Sequence, residues 1–281
     1  MTASPRSAPR SAARRLALGT LGGVGLLALG TAAAGAGWLL YSRVAVPHDL
    51  PLPEAIPAPR KRLRSSFGEL SYYADERAPG RALLLVHSVN AAASAYEMRP
   101  LFERFRGTRP VYALELPGFG FSERRSRRYS APLYADAILA FVRRVLPEPP
   151  DVVALSLAGE FVVRAALLEP ARFRSLALLS PTGLSGRRRS GSERLHRFLK
   201  ARLWRRALFD LISTAPSIRY FLRRSFVGEP PQGLLRYSYL TSHQPEAEHA
   251  PLAFLSGKLF TPEASALLYE RSRVPTIAIY D

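Results

Sequence analysis

Asp151-Val152-Val153-Ala154-Leu155-Ser156-Leu157-Ala158-Gly159 is the stretch on which the reading of this chain turns. Asp151 to Ala154 has the look of a short strand, and from Leu157 to Leu168 apolar positions recur at helical spacing. Ser156 therefore stands at a strand-to-helix junction, with an alanine two places before it and another two places after. The spacing has a physical reason. A tight bend of this kind strains the serine backbone and brings strand and helix together on either side, where only small side chains fit. Taken alone, small-x-Ser-x-small is common, and an ordinary buried turn fits it as well.

The surroundings narrow the choice. Leu63 to Tyr73, broken at Gly68-Glu69, alternates like a hairpin. Ala82 to Val86 is a continuous apolar run, as in a strand buried on both faces. Ala95 to Phe105 is helical, Pro110 to Leu114 a strand, Ala131 to Leu146 a helix, and Ser175 to Leu179 a strand. Val274 to Asp281 reads as a further core strand. Strand and helix alternating over short connections predict an α/β fold with a mostly parallel sheet and helices on both faces. Functional groups on such a sheet collect at the carboxyl ends of the strands.

Those ends read His87-Ser88-Val89-Asn90-Ala91 after the first apolar strand and Glu115-Leu116-Pro117-Gly118-Phe119-Gly120-Phe121-Ser122 after the next. Together with Ala154 to Ala158, they resemble the α/β-hydrolase superfamily in its serine-nucleophile branch. His87-Ser88 is similar to the family's His-Gly turn, residues 115–122 to its Asp-x-Pro-Gly-x-Gly-x-Ser segment, and residues 154–158 to its Gly-x-Ser-x-Gly. Leu179-Ser180-Pro181 resembles the strand end that follows the nucleophile helix. The resemblance covers about Arg62 to Gly183 and returns near the C-terminus. Ser88 replaces Gly, Glu115 replaces Asp, and Ala154 and Ala158 replace both elbow glycines, which marks a divergent branch.

The resemblance implies an α/β-hydrolase fold with a helical cap insertion. It implies Ser156 as nucleophile, the backbone amides of Val89 and Leu157 as an oxyanion hole, and His87, Ser88 and Asn90 as support for the oxyanion loop. A serine nucleophile argues against dehalogenase and epoxide-hydrolase chemistry, where the resembling enzymes use a carboxylate. In the family the acid follows the strand at Val274 by a few residues, and the general-base histidine comes a strand and a helix later. Neither is in this sequence, so it reads as a family member truncated before the catalytic histidine. Asp281, slightly before the usual acid position, is the candidate acid. His196 reads as solvated, and His243 and His249 lie in a polar stretch that offers a substitute base.

Residues 61–182 are then the first part of the core, 183–260 the cap, and 261–281 the continuation of the core. The cap is strongly basic, with 14 cationic side chains against 5 carboxylates. Leu195, Phe198, Leu199, Leu203, Trp204, Leu208 and Phe209 fall on one helical face. That face either packs on the core or rests, with its arginines, on an anionic membrane.

Upstream, Leu16 to Ser42 carries no charge over 27 residues, follows Arg6, Arg10, Arg14 and Arg15, and ends near Trp38 and Tyr41. That length suits a single transmembrane helix. A cleaved export signal is the rival reading, since Ala32-Ala33-Ala34 imitates a cleavage site. Residues 1–45 are read as basic tail and membrane anchor, with the N-terminus cytoplasmic and the domain outside. Residues 46–60 hold five prolines between Pro47 and Pro59 and read as a stiff spacer, in which His48 has no assigned role.

Composition sets the outer limits. The chain has 281 residues, 47% of them apolar, enough for a well-buried domain. It has no cysteine, which excludes disulfide scaffolds, thiol catalysis and thiolate metal sites. The net charge of +18 suits nucleic acid or an anionic membrane, although abundant Ala, Arg, Pro and Gly also follow from a GC-rich genome. Most arginines are not interleaved with aromatics in a stacking pattern, so no specific nucleic-acid partner is expected. The expected function is that of a membrane-anchored, esterase- or lipase-like serine hydrolase acting on an apolar ester-like substrate. The alternative is a non-catalytic protein of the same fold that binds a ligand or partner under its cap at the membrane. Neither metal nor cofactor is expected. The expected partners are a small-molecule substrate and membrane lipid, met through the N-terminal helix and the basic cap.

Overall fold

A computed structural model describes residues 33–184 and 191–280. The chain divides into two units, Met1–Val46 and Pro47 onward. In the first, residues 33–44 form helix α1, on which Trp38 and Tyr41 stack at 5.6 Å. Most of the expected anchor, residues 16–32, lies outside the described residues. No helix among the described residues is long and apolar enough to cross a membrane.

In the second unit, the described strands form one seven-stranded sheet. They are β1 (Arg60–Ser65), β2 (Gly68–Asp75), β3 (Leu83–Val86), β4 (Val111–Leu114), β5 (Asp151–Leu155), β6 (Ser175–Leu179) and β7 (Thr276–Ile279), in the order β1-β2-β4-β3-β5-β6-β7. β1 and β2 pair as the expected antiparallel hairpin, and β2 also runs antiparallel to β4. The other pairings are parallel, with Val86 opposite Ala154 and Leu155 opposite Leu179.

Strand alternation assigns each side chain to one of two cores. Leu84, Val86, Tyr112, Leu114, Val152, Ala154, Leu176 and Leu178 bury against α3 (Ala131–Val145) and α4 (Ala158–Leu168). The two helices lock through Tyr134 stacked on Phe161 at 4.7 Å. Ser130 caps α3 by accepting a hydrogen bond from the Leu133 amide, with Pro132 in the first turn. On the other face, Leu83, Leu85, Val111 and Ala113 bury against Met98 and Phe102, around the start and middle of α2 (Arg99–Phe105). Beneath β5 to β7 that second face is open among the described residues, forming a groove of about 500 Å³ lined by Val153, Ala177 and Ile277.

The proline-rich segment is not a free spacer. Ala55 and Ile56 are fully buried in the second core, beside Tyr73 and Tyr237. The Tyr73 hydroxyl accepts from the Ala55 amide, and Leu50 exchanges backbone and side-chain hydrogen bonds with His243 and Gln244. Two apolar residues set among the prolines are enough to strap the segment down, because the prolines have already lowered its conformational entropy. His48, left without a role on sequence, pairs with the buried Asp210 at 2.9 Å.

The insertion carries α5 (Glu193–Leu199), α6 (Arg205–Ile212), α7 (Ala215–Arg223), α8 (Gln232–Ser242) and α9 (His249–Leu255). The single apolar face expected from Leu195 to Phe209 is broken by the turn between α5 and α6. Leu195, Phe198 and Leu203 are exposed, while Ala207 and Phe209 are buried. Packing of that whole face on the core is therefore corrected.

The strap is testable. Ile56→Ala removes a fully buried side chain and is expected to destabilise the domain by about 2–4 kcal/mol in urea unfolding. An unchanged midpoint would mean that the segment does not pack.

Candidate active site

Ser156 adopts φ +55°, the left-handed region that non-glycine residues avoid at a cost of about 1–2 kcal/mol. Two backbone hydrogen bonds hold it there. Its amide donates to the Leu179 carbonyl at 2.8 Å, carrying the β5–β6 ladder one residue beyond the strand, and its carbonyl accepts from the Gly159 amide at 3.0 Å to start α4. Ala154 and Ala158 are fully buried on either side of the bend, so methyl groups are accommodated where the family usually has glycine. Among the described residues, the Ser156 hydroxyl has no hydrogen-bond partner, and the Val89 and Leu157 amides have no acceptor. Val86 pairs with Ala154, so the loop that carries Val89 leaves β3 next to the end of β5, where Ser156 follows.

That loop is pinned by a residue the sequence reading missed. Glu97, in the turn before α2, accepts from the Ser88 amide at 2.9 Å and from the Ser88 hydroxyl at 3.0 Å. Asn90 donates to both the Ser88 hydroxyl and Glu97, and its carbonyl oxygen accepts from the Ala92 amide. Burial raises the Glu97 pKa, and the hydrogen bonds from Ser88 and Asn90 oppose that shift.

His87 braces the same loop from the other side. The Leu116 amide donates to its Nε2 at 3.0 Å, so Nδ1 carries the proton and donates to the Ser88 carbonyl at 2.6 Å. Complete burial pushes its pKa down to about 4. The ring is thus a neutral strut with no nitrogen free to take a proton. The other histidines meet other groups. His196 is not simply solvated but bonds the Ser256 hydroxyl at 2.9 Å. His243 is buried, with Nδ1 at 2.7 Å from the Tyr239 carbonyl. His249 is buried too, its Nε2 without a hydrogen bond and 3.7 Å from Glu248. None bonds Ser156, so neither residue of the polar stretch stands as its base here. Asp281, the candidate acid, lies outside the described residues.

Two buried carboxyls frame the site. Glu115 accepts from the Phe121 amide at 2.7 Å, while its Oε1 is buried without a partner. Gly120, at φ +55°, lets the backbone turn tightly there, because a Cβ would overlap the Glu115 carboxyl. Burial pushes that carboxyl up to about 7, against the Phe121 hydrogen bond and the charges of Arg124 and Arg60. Glu160, one turn past Ser156, is 1% exposed. It accepts from the Thr182 hydroxyl just before the cap and from the Thr261 amide just after it, the latter at 2.7 Å. Arg164, one turn further along α4, donates to the Thr261 hydroxyl at 2.9 Å. One carboxylate therefore clasps both roots of the insertion to the helix that begins at Ser156. Among the described residues, no three histidine or carboxylate groups converge to hold a metal ion.

The fold agrees with comparisons to known proteins. The model of the alpha/beta hydrolase family matches residues 83–278, and the chain belongs to that family. It is 30% identical over 114 residues to the uncharacterized hydrolase YugF of Bacillus subtilis, covering 40% of this chain and 41% of that protein. It is 29% identical over 120 residues to a pimeloyl-[acyl-carrier protein] methyl ester esterase of Nitrosospira multiformis, covering 41% of this chain and 44% of the relative. The match thus spans about two fifths of each curated relative. Among solved structures, a probable hydrolytic enzyme of Pseudomonas aeruginosa PAO1 superposes with a TM-score of 0.63 at 21% identity, covering 81% of this chain and 77% of that one. A membrane phospholipase A gives a TM-score of 0.59 at 19% identity, covering 94% and 81%.

Both carboxyls give measurable expectations. A folded-state pKa raised from an ordinary value near 4.5 to about 7 means that the native state holds the Glu115 proton longer than the unfolded state does. Stability from this group is then full below about pH 4.5 and lost as pH rises to about 7, by on the order of 3 kcal/mol at most. Glu115→Gln should lose that slope, so the stability difference between wild type and variant should shift in the variant's favour between pH 5 and 8. A pH-independent difference would refute the raised pKa. Glu160→Ala leaves the buried Thr261 amide without an acceptor, as well as the half-buried Thr182 hydroxyl, and should cost about 1–3 kcal/mol in chemical denaturation, with Glu160→Gln milder.

Proposed function

We propose that this protein is a membrane-associated serine hydrolase of the alpha/beta family, acting on an apolar ester-like substrate by acyl transfer to water. One observation carries the reading. Ser156 sits on a strained bend with its hydroxyl unengaged, and the Val89 and Leu157 amides, in the loop after β3 and at the start of α4, have no acceptor among the described residues. Attack by the Ser156 hydroxyl on a carbonyl would place the developing oxyanion against those two N–H groups, which are fixed before the reaction begins. The proton that leaves Ser156 needs a base, since an unassisted serine is a poor nucleophile at neutral pH. None of the five histidines hydrogen-bonds Ser156. The bond from the carbonyl to the ester alcohol then breaks, the alcohol leaves with that proton, and water attacks the acyl-enzyme, releasing the acid and returning a proton to Ser156.

An ester-like substrate is supported by the methyl ester esterase among the curated relatives. Membrane association is supported by the uncharged run Leu16 to Ser42 behind its four arginines, and by the structural likeness to a membrane phospholipase A. The arginine tail favours a cytoplasmic N-terminus with the domain outside. The placement of the histidines favours a second reading, a non-catalytic protein of this fold that binds a ligand or partner under its cap.

A fluorophosphonate probe separates the two. The protein as expressed from its natural reading frame should be labelled on Ser156, and Ser156→Ala should lose the label and at least 10³-fold of ester turnover, the scale on which triad enzymes lose activity. A folded protein that takes no label at Ser156 overturns the catalytic reading.

A further inference from the structure

The outer side of α7 and the turn after it form a surface that the hydrolytic reading does not use. Tyr220 and Phe221 are more than half exposed, with their rings edge-to-face at 5.3 Å. Phe226 is 40% exposed, and Val227, at the tip of the turn, is fully exposed. Ile218 is buried and Leu222 half-buried, while α7 turns the aromatic Tyr220 and Phe221 to solvent. A soluble surface rarely groups its aromatics this way without a partner.

The charges around this patch have one sign. Arg219, Arg223 and Arg224 lie in the same nine residues, and the Arg224 guanidinium sits 5.9 Å from the centre of the Tyr220 ring. Glu229 is the single acid between Leu211 and Pro245, and Arg223 already pairs with it. Exposed apolar and aromatic side chains interleaved with arginines over residues 219–227 match the chemistry of an interface, where the acyl boundary meets anionic headgroups.

We infer that residues 219–227 are a docking surface for an anionic lipid bilayer, with Phe226 and Val227 entering the acyl boundary and Arg219 and Arg224 meeting headgroup phosphates. An acidic protein would satisfy the arginines but give no reason for a valine held fully in water at the tip. The inference needs neither Ser156 nor the N-terminal run, so it fails or stands separately from the proposed activity.

The absence of cysteine makes the test direct. Val227→Cys in the full chain takes a single environment-sensitive nitrobenzoxadiazole probe. On phosphatidylcholine vesicles containing phosphatidylglycerol, its emission should shift to the blue and be quenched by spin-labelled acyl chains. Each arginine near such a surface strengthens binding about fivefold, so Arg219→Glu with Arg224→Glu should weaken the response more than 20-fold, and high salt should weaken it as well. Tyr220→Ser with Phe221→Ser should reduce it in a protein whose unfolding midpoint is unchanged; if that pair does not fold, the arginine pair decides. Because the probe reads position 227 alone, vesicle binding through residues 1–45 does not imitate the signal. An aqueous spectrum on vesicles that carry bound protein, equal responses with and without phosphatidylglycerol, or an equal response to polyglutamate in solution would each overturn the inference.

Discussion

The hydrogen bond from the Ser156 amide to the Leu179 carbonyl is where the sheet and the site become one object. It extends the parallel β5–β6 ladder past the last strand residue and fixes a left-handed backbone that would otherwise relax. The cores on both sides of the sheet determine the β5–β6 register, and that register determines where the hydroxyl points. The strain at Ser156 is small beside the burial of strands packed on both faces, so the fold sustains it. Ser180, the next residue on β6, repeats the arrangement at φ +43°, with its amide on the Ile279 carbonyl.

Much of this was legible in the sequence, for definite reasons. A strand buried on both faces has to be apolar throughout, so Ala82 to Val86 identified itself. The elbow was visible because steric demand at 154 and 158 admits few residue types. The β-hairpin showed through simple alternation. All of these are local patterns with a period or a size limit.

What stayed hidden depends on partners distant in the chain. Glu160 belongs to a helix of ordinary composition, and nothing in its neighbours says that it will bind Thr182 and Thr261, 22 and 101 residues further on. Glu160 did leave a trace, as a carboxylate on an otherwise apolar helical face, which is unfavourable unless something satisfies it. The proline-rich strap was misread because its proline content outweighed Ala55 and Ile56. The break between α5 and α6 falls in Lys200-Ala201-Arg202-Leu203-Trp204, which contains neither glycine nor proline to announce it. His48 and Asp210 are 162 residues apart, beyond the reach of any local reading.

The Glu160 clasp has an evolutionary consequence. When both roots of a long insertion meet at one carboxylate, the ends of that insertion stay at a fixed separation whatever lies between them. Closing a loop costs little more as the loop lengthens, so helices can be added, lost or exchanged there without disturbing the order of the strands. The inserted helices can then be remodelled while the bend at Ser156 is inherited intact, as interchangeable heads are fitted to one handle.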